Sequence, residues 1–249
     1  MGKKRAKRLH QVQKNYIEEE SNPYQFSTDL YKKMDQHQKE YAKSIENTFA
    51  TFCDAPSGTG KTTIAVLKAF EFLAKGRVQQ IVYMRFVDDR YLKQGFLPGT
   101  IEEKEAKLFR PFFDALEEIG VDEKQYKQLK DMGHIILTTD TTLRGVNLKE
   151  TFLITDETQN AREFGDLQLT YTRLHSQGLR GRMVSIGHSE QQDNKKVQRT
   201  AKMGYIPFQA FEYHMIKKPH LANSCRLVND YRGEFSQWAD QIKISLAEL

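Results

Sequence analysis

Residues 55–63 read Ala55-Pro56-Ser57-Gly58-Thr59-Gly60-Lys61-Thr62-Thr63. The Gly-Lys-Thr ending has the spacing of a loop that cradles phosphate. Backbone N–H groups at the start of a helix, aided by its dipole, bind anions. Gly58 and Gly60 let the chain curl without a Cβ in the way. Lys61 can reach the terminal phosphates of a nucleotide, and the Thr62 hydroxyl can ligate Mg²⁺. Ala55 stands where the motif usually has its first glycine, so the loop is expected to close over a narrower range of backbone angles. A glycine turn with no ligand is the bland alternative. The apolar run Phe49–Cys53 before the loop and the helically spaced Ile64–Leu73 after it argue against that.

A phosphate loop needs an acidic partner at a neighbouring strand end. The run Phe152-Leu153-Ile154-Thr155 leads to Asp156-Glu157-Thr158-Gln159. Asp156 is expected beside the nucleotide, holding Mg²⁺ with Thr62. Glu157 is expected to polarise the attacking water. The paired acids favour hydrolysis over transfer to a second substrate. The alternative is a charged strand end facing solvent. A third strand, Val184-Ser185-Ile186, runs into Gly187-His188-Ser189-Glu190-Gln191. A Gln at this strand end, Gln191, can sense the γ-phosphate and relay its loss, while His188 is read as an exposed polar loop residue in preference to a catalytic histidine.

Asp156-Glu157-x-Gln159 resembles the second motif of superfamily 1 helicases. Those proteins usually carry Gly-Asp-x-x-Gln after the third strand; Gly187 and Gln191 match, and His188 replaces the Asp. Over about residues 30–235 the chain resembles the PhoH-like family of P-loop ATPases. The likeness extends to Gly95-Phe96-Leu97-Pro98-Gly99, Arg110-Pro111-Phe112-Phe113, Leu143-Arg144-Gly145, Thr172-Arg173-Leu174 and Arg226-Leu227-Val228-Asn229-Asp230-Tyr231. Gln38-Lys39-Glu40-Tyr41 is similar to the family's adenine-reading segment, with His37 where Asn is usual. The resemblance implies a RecA-like core, Mg-ATP hydrolysis and action on RNA. It implies nucleotide contacts from Gln38, residues Ala55 to Thr63, and Gln159. Arg85, Arg144, Arg173 and Arg226 lie in matching segments. Arg173 and Arg226 are the first choices for clamping the γ-phosphate, within one subunit or from a neighbour. Structural ion pairs or nucleic-acid contacts are the competing roles.

These groups need a scaffold. Strands are expected at 78–85, 134–139, 151–155, 182–186 and 206–216, beside the one that feeds the loop. Helices are expected over 28–46, 101–119 with a break at Arg110-Pro111, 165–174 and 226–244. Gln94–Gly99 reads as a turn. Alternating strands and helices indicate an α/β fold, a RecA-like P-loop NTPase core with a mainly parallel sheet flanked by helices. Residues 1–27 are expected to form a basic, mobile arm, and 28–249 a single ATPase domain.

Composition sets the outer limits. Of 249 residues, 29% are charged and 39% hydrophobic, which describes a globular chain with a wet surface. No apolar run approaches bilayer length, so no membrane is expected. Two cysteines exclude a disulfide scaffold, and Cys53 reads as core filler; a cytoplasmic setting fits. Net charge is +5, with Lys3, Lys4, Arg5, Lys7 and Arg8 clustered at the start, which permits an acidic partner. The expected partner is single-stranded nucleic acid, RNA in first place, with ATP and Mg²⁺ as cofactors. A helicase pairs two such domains, whereas this chain has room for one, so a homo-oligomer is expected. An ATP-gated adaptor without unwinding activity is the other reading, and a P-loop kinase is disfavoured by the paired acids.

Overall fold

The computed structural model describes residues 22–88, 106–143, 148–176, 180–191 and 197–240. Strands β1 (Ala50–Asp54), β2 (Gln80–Arg85), β3 (Ile135–Thr139), β4 (Thr151–Asp156), β5 (Arg182–Gly187) and β6 (Ala222–Cys225) form one sheet. Its order is β3-β2-β4-β5-β1-β6, and each described pairing is parallel. Strands buried on both faces need near-continuous apolar runs. β4 and β5 are buried at every position. β5 lies between the strand feeding the phosphate loop and the strand ending in Asp156, which is the RecA-like arrangement.

The helices are α1 (Leu30–Lys33), α2 (Gln36–Asn47), α3 (Lys61–Ala74), α4 (Arg110–Glu118), α5 (Glu123–Asp131), α6 (Phe164–Tyr171), α7 (Pro207–Met215) and α8 (Glu234–Asp240). α3 is buried from Ile64 through Leu73, as befits a helix packed against the sheet on one side and other helices on the other. It joins α2, α4 and one sheet face in the larger core. Phe52, Met84, Leu153, Met183 and Phe208 belong to the second core, on the opposite face. Cys53 is fully buried, as expected of core filler.

Several elements differ from expectation. Residues 28–46 are split between α1 and α2, because Asp35 adopts extended backbone and caps α2. Its Oδ1 accepts from Gln38 N at 2.8 Å, and Gln38 Oε1 accepts from Asp35 N at 3.1 Å. The break expected at Arg110-Pro111 falls at Phe109, between a helical turn over 106–108 and α4. α5 was not anticipated; Asp122 and Gln125 cap it in the same reciprocal way. Residues 206–216 hold a helix, α7, and no strand. Pro207 fills its first position, where its missing N–H costs no bond. Phe208 and Glu212, one turn apart, are its buried face. The last strand among the described residues is instead β6. The helix expected over 226–244 begins only at Glu234, since residues 226–233 are irregular and reach back to the phosphate loop. The turn at 94–99, Arg144 and Gly145 lie outside the described residues, as does most of the expected basic arm. From Tyr24 onward the chain is docked: Ser27 N donates to Ile119 O at 2.7 Å, and Phe26 packs edge-on to Phe70 at 6.1 Å. No helix among the described residues is long and apolar enough to cross a membrane.

Candidate functional site

The loop between β1 and α3 closes as the motif requires. Gly58 and Gly60 both take φ 78°, the left-handed region that favours glycine. At Gly58 space is also short: a Cβ would lie 2.0 Å from Asp230 Oδ1. Ala55 needs no such freedom. Its φ is not positive, and its N–H extends the sheet ladder to Gly187 O at 3.0 Å. The departure from glycine there is accommodated because Ala55, one residue past β1, still continues the ladder to β5. Thr59 Oγ1 and Lys61 Nζ both donate to Pro56 O, at 3.1 and 2.9 Å. Thr63 Oγ1 donates to Glu118 Oε2 at 3.0 Å.

β4 delivers its carboxylates to this loop. Thr62 Oγ1 donates to Asp156 Oδ2 at 3.2 Å. Asp156 is 3% exposed, and its Oδ1 accepts from Glu157 N at 2.9 Å. Buried Tyr83 also donates to Asp156 Oδ2. Burial, and then the Asp156 charge, raise the Tyr83 phenol well above its ordinary pKa, so it remains a donor. A hydroxyl and a carboxylate in contact are a hard-oxygen pair of the kind that suits Mg²⁺, which needs few protein ligands when phosphates supply the rest. Thr62 and Asp156 would hold that ion.

Glu157 turns the chain with φ 54°. Its Oε2 accepts from Gln159 Nε2 at 2.7 Å, and Arg85 Nη2 lies 3.8 Å from its Oε1. Burial, and then the Asp156 charge, raise its pKa above the ordinary value, against the pull of Arg85 and Gln159. A raised pKa suits a carboxylate that takes a proton from water. Gln159 is buried behind Glu157, and its Oε1 accepts from His188 N at 3.0 Å. It bridges β4 to the end of β5 and does not line the pocket. His188 is buried, not exposed as its loop position suggested. Gln191 reaches the loop, its Oε1 accepting from Ser57 Oγ at 3.4 Å.

The pocket holds about 560 Å³. Leu30, Lys33 and Gln38, the loop, Pro111, Asp114 and Glu118 of α4, Asp156-Glu157, and Tyr231 and Arg232 line it. Gln38 Nε2 donates to Thr59 O at 3.0 Å. Tyr231 N donates to Gly58 O at 3.0 Å, while Tyr231 OH and Asn229 Nδ2 both donate to Asp35 Oδ2 at 2.7 Å. Sequence reasoning did not single out Tyr83, Asp35, Tyr231 or Arg232 for the site. Only strand register and long-range docking bring them there. Two predicted arginines stay away from this pocket within the chain. Arg173 Nη1 donates to Leu143 O at 2.9 Å. Arg226 grips buried Glu212 through both Nη atoms, Nη2 to Oε2 at 2.9 Å. Burial works against the Arg226 charge, but Glu212 outweighs it and raises the pKa.

The sheet order, the glycine loop and the Thr62–Asp156 contact define a P-loop NTPase fold of RecA-like type. The chain belongs to the PhoH family, whose model, described as PhoH-like protein, matches residues 31–209. A PhoH-like protein of Synechocystis sp. is 32% identical over 163 residues, 66% of this chain and 48% of the relative. A PhoH-like protein of Bacillus subtilis is 32% identical, covering 64% of this chain and 48% of the relative. Protein PhoH of Escherichia coli K12 is 34% identical, covering 55% of this chain and 39% of its own length. The aligned region thus spans about half or less of these relatives. Among solved structures, the helicase domain of Pyrococcus furiosus Hef aligns at 13% identity over 86% of this chain and 42% of that chain, with TM-score 0.49.

Proposed function

We propose that this chain is a Mg²⁺-dependent ATPase whose turnover is raised by single-stranded nucleic acid, RNA in first place. The observation that carries the reading is the contact of Thr62 with Asp156, with Glu157 next in the chain and Arg85 beside it. Lys61 and the loop N–H groups bind and neutralise the β- and γ-phosphates. Glu157 orients the attacking water and takes its proton. Mg²⁺, when bound, neutralises the charge that develops on the phosphate oxygens. Gln191, at the loop through Ser57, registers the γ-phosphate. Helicase-like action on RNA is the further expectation, and an ATP-gated adaptor is the other reading.

Arg173 and Arg226 lie off this pocket, so a cationic group for the γ-phosphate comes from Arg85 or Arg232 within the chain, or from a neighbouring copy. The deciding experiment is Mg-ATP hydrolysis with and without single-stranded RNA, beside Lys61→Ala. Turnover raised by RNA and abolished by the substitution supports the motor. Basal turnover indifferent to RNA turns the reading to the adaptor. No turnover, even at high protein concentration, refutes an ATPase complete in its own copies.

A further inference from the structure

The segments on either side of α7 carry surface charge of one sign. Over residues 197–221, Arg199, Lys202, Lys217 and Lys218 are all exposed. The single acid of that stretch, Glu212, is buried and bound to Arg226 and Ser224. Beside this surface two acids remain, Glu163 as the cap of α6 and Asp166 in its first turn, Asp166 Oδ2 accepting from Glu163 N at 3.0 Å. Aromatic rings stand among the cations. Tyr213 is 53% exposed and Met203 58%. The Tyr205 and Tyr213 rings lie 6.0 Å apart at 62°, and Lys217 Nζ sits 4.3 Å from the Tyr213 centroid.

Clustered cations bind phosphate backbones without regard to sequence, and exposed aromatic faces stack unpaired bases. A duplex hides its bases from such rings, and an acidic protein or membrane would use the lysines alone. We propose that the outer face of α7, with residues 199–205 before it and 217–218 after it, seats a single nucleic-acid strand, its phosphates on these cations and its bases against Tyr213 and Tyr205. This rests on the nucleic-acid reading given above.

The same helix touches the nucleotide end of the sheet. A Cβ on Gly187, the last residue of β5, would lie 2.7 Å from the Phe208 ring in the first turn of α7. Gln191, a few residues beyond Gly187, meets the phosphate loop at Ser57. A strand on α7 is therefore one packed contact from the segment that faces the nucleotide.

The test is fluorescence anisotropy with a labelled oligouridylate, beside the ATPase assay, for Lys217→Glu/Lys218→Glu, Tyr213→Ala and a control Lys124→Glu on α5. The double variant is expected to weaken binding at least tenfold and to flatten the salt dependence by a log–log slope of about 1.4, two phosphate contacts' worth for a single strand. Tyr213→Ala is expected to weaken it at least fivefold, the low end of one lost stack. Both should keep wild-type basal turnover and lose its stimulation by RNA, while the control behaves as wild type. Wild-type affinity in both variants would overturn this seat and leave the RNA reading standing. Equal affinity for duplex and single strand would overturn the stacking. A wild-type protein that binds phosphatidylserine vesicles and no RNA would overturn both readings.

Discussion

At the residue scale the site depends on a small set of oxygens whose charge states are set by burial. Glu157→Gln is expected to leave ATP binding intact and lower turnover at least about a hundredfold, the usual contribution of a positioned base; nucleotide titration and single-turnover kinetics separate the effects. The same change should raise the melting temperature near neutral pH. The folded state disfavours ionised Glu157, so the protonated group's advantage is lost as pH rises from the ordinary glutamate value of about 4.3 through its raised folded value. Glutamine avoids that loss, and its gain should vanish below about pH 4. Tyr83→Phe removes a donor from Asp156 and should raise the Mg²⁺ concentration needed for half-maximal turnover. Gly58→Ala combines a left-handed φ with a clash against Asp230, and should abolish ATP binding as read by calorimetry.

At the element scale, a charged cluster holds α2 against α3. Lys68 Nζ meets Glu46 Oε2 at 2.8 Å and Glu71 Oε2 at 2.7 Å, and Tyr31 OH donates to Glu71 Oε1 at 2.7 Å. Lys68 is 5% exposed. Lys68→Ala leaves buried Glu71 with the Tyr31 hydroxyl but without its close cation, while Glu46 keeps Arg77, and is expected to cost about 3 kcal/mol in urea unfolding. Burial opposes the Glu46 charge, but Lys68 and Arg77 win and hold its pKa down at about 2. Its stabilising contribution is full above the ordinary value and disappears as pH falls through about 2; Glu46→Gln should flatten that acid limb. These elements also show what local sequence carries. The loop motif and the apolar runs of β4 and β5 are self-contained signals, and both are legible. β6 is not, since only Ala222 of Ala222-Asn223-Ser224-Cys225 is buried and an edge strand needs no apolar run. Residues 206–216 read as a strand because aromatic and apolar side chains crowd both periods. Pro207 and the buried Phe208–Glu212 pair decide for a helix only once a sheet lies beneath them.

For the whole molecule, the fold class was legible because strand, loop and acid recur in one order along the chain. The pocket walls were not. Tyr231 and Asp35 meet 196 positions apart, and no local pattern encodes such a contact. Arg226 likewise looked like a phosphate clamp in sequence, and its engagement with Glu212 depends on α7 and β6 lying side by side. Asp35→Ala tests the closure at this scale. It removes a helix cap worth about 1 kcal/mol and frees Asn229 and Tyr231 together, so the KM for ATP should rise more than stability falls.

That closure also orders events during synthesis. A chain emerges from its N-terminus and begins to organise before it is finished. The glycine loop and α3 are made long before Asn229 and Tyr231, which must cross back to reach Gly58 and Asp35. Such distant contacts form late, because the intervening chain loses its freedom first. A nascent chain stalled before Asn229 is expected to hold its sheet while leaving the loop uncovered, so protease resistance of the core should precede retention of nucleotide. Occupancy of this pocket would then report that the last segment has arrived.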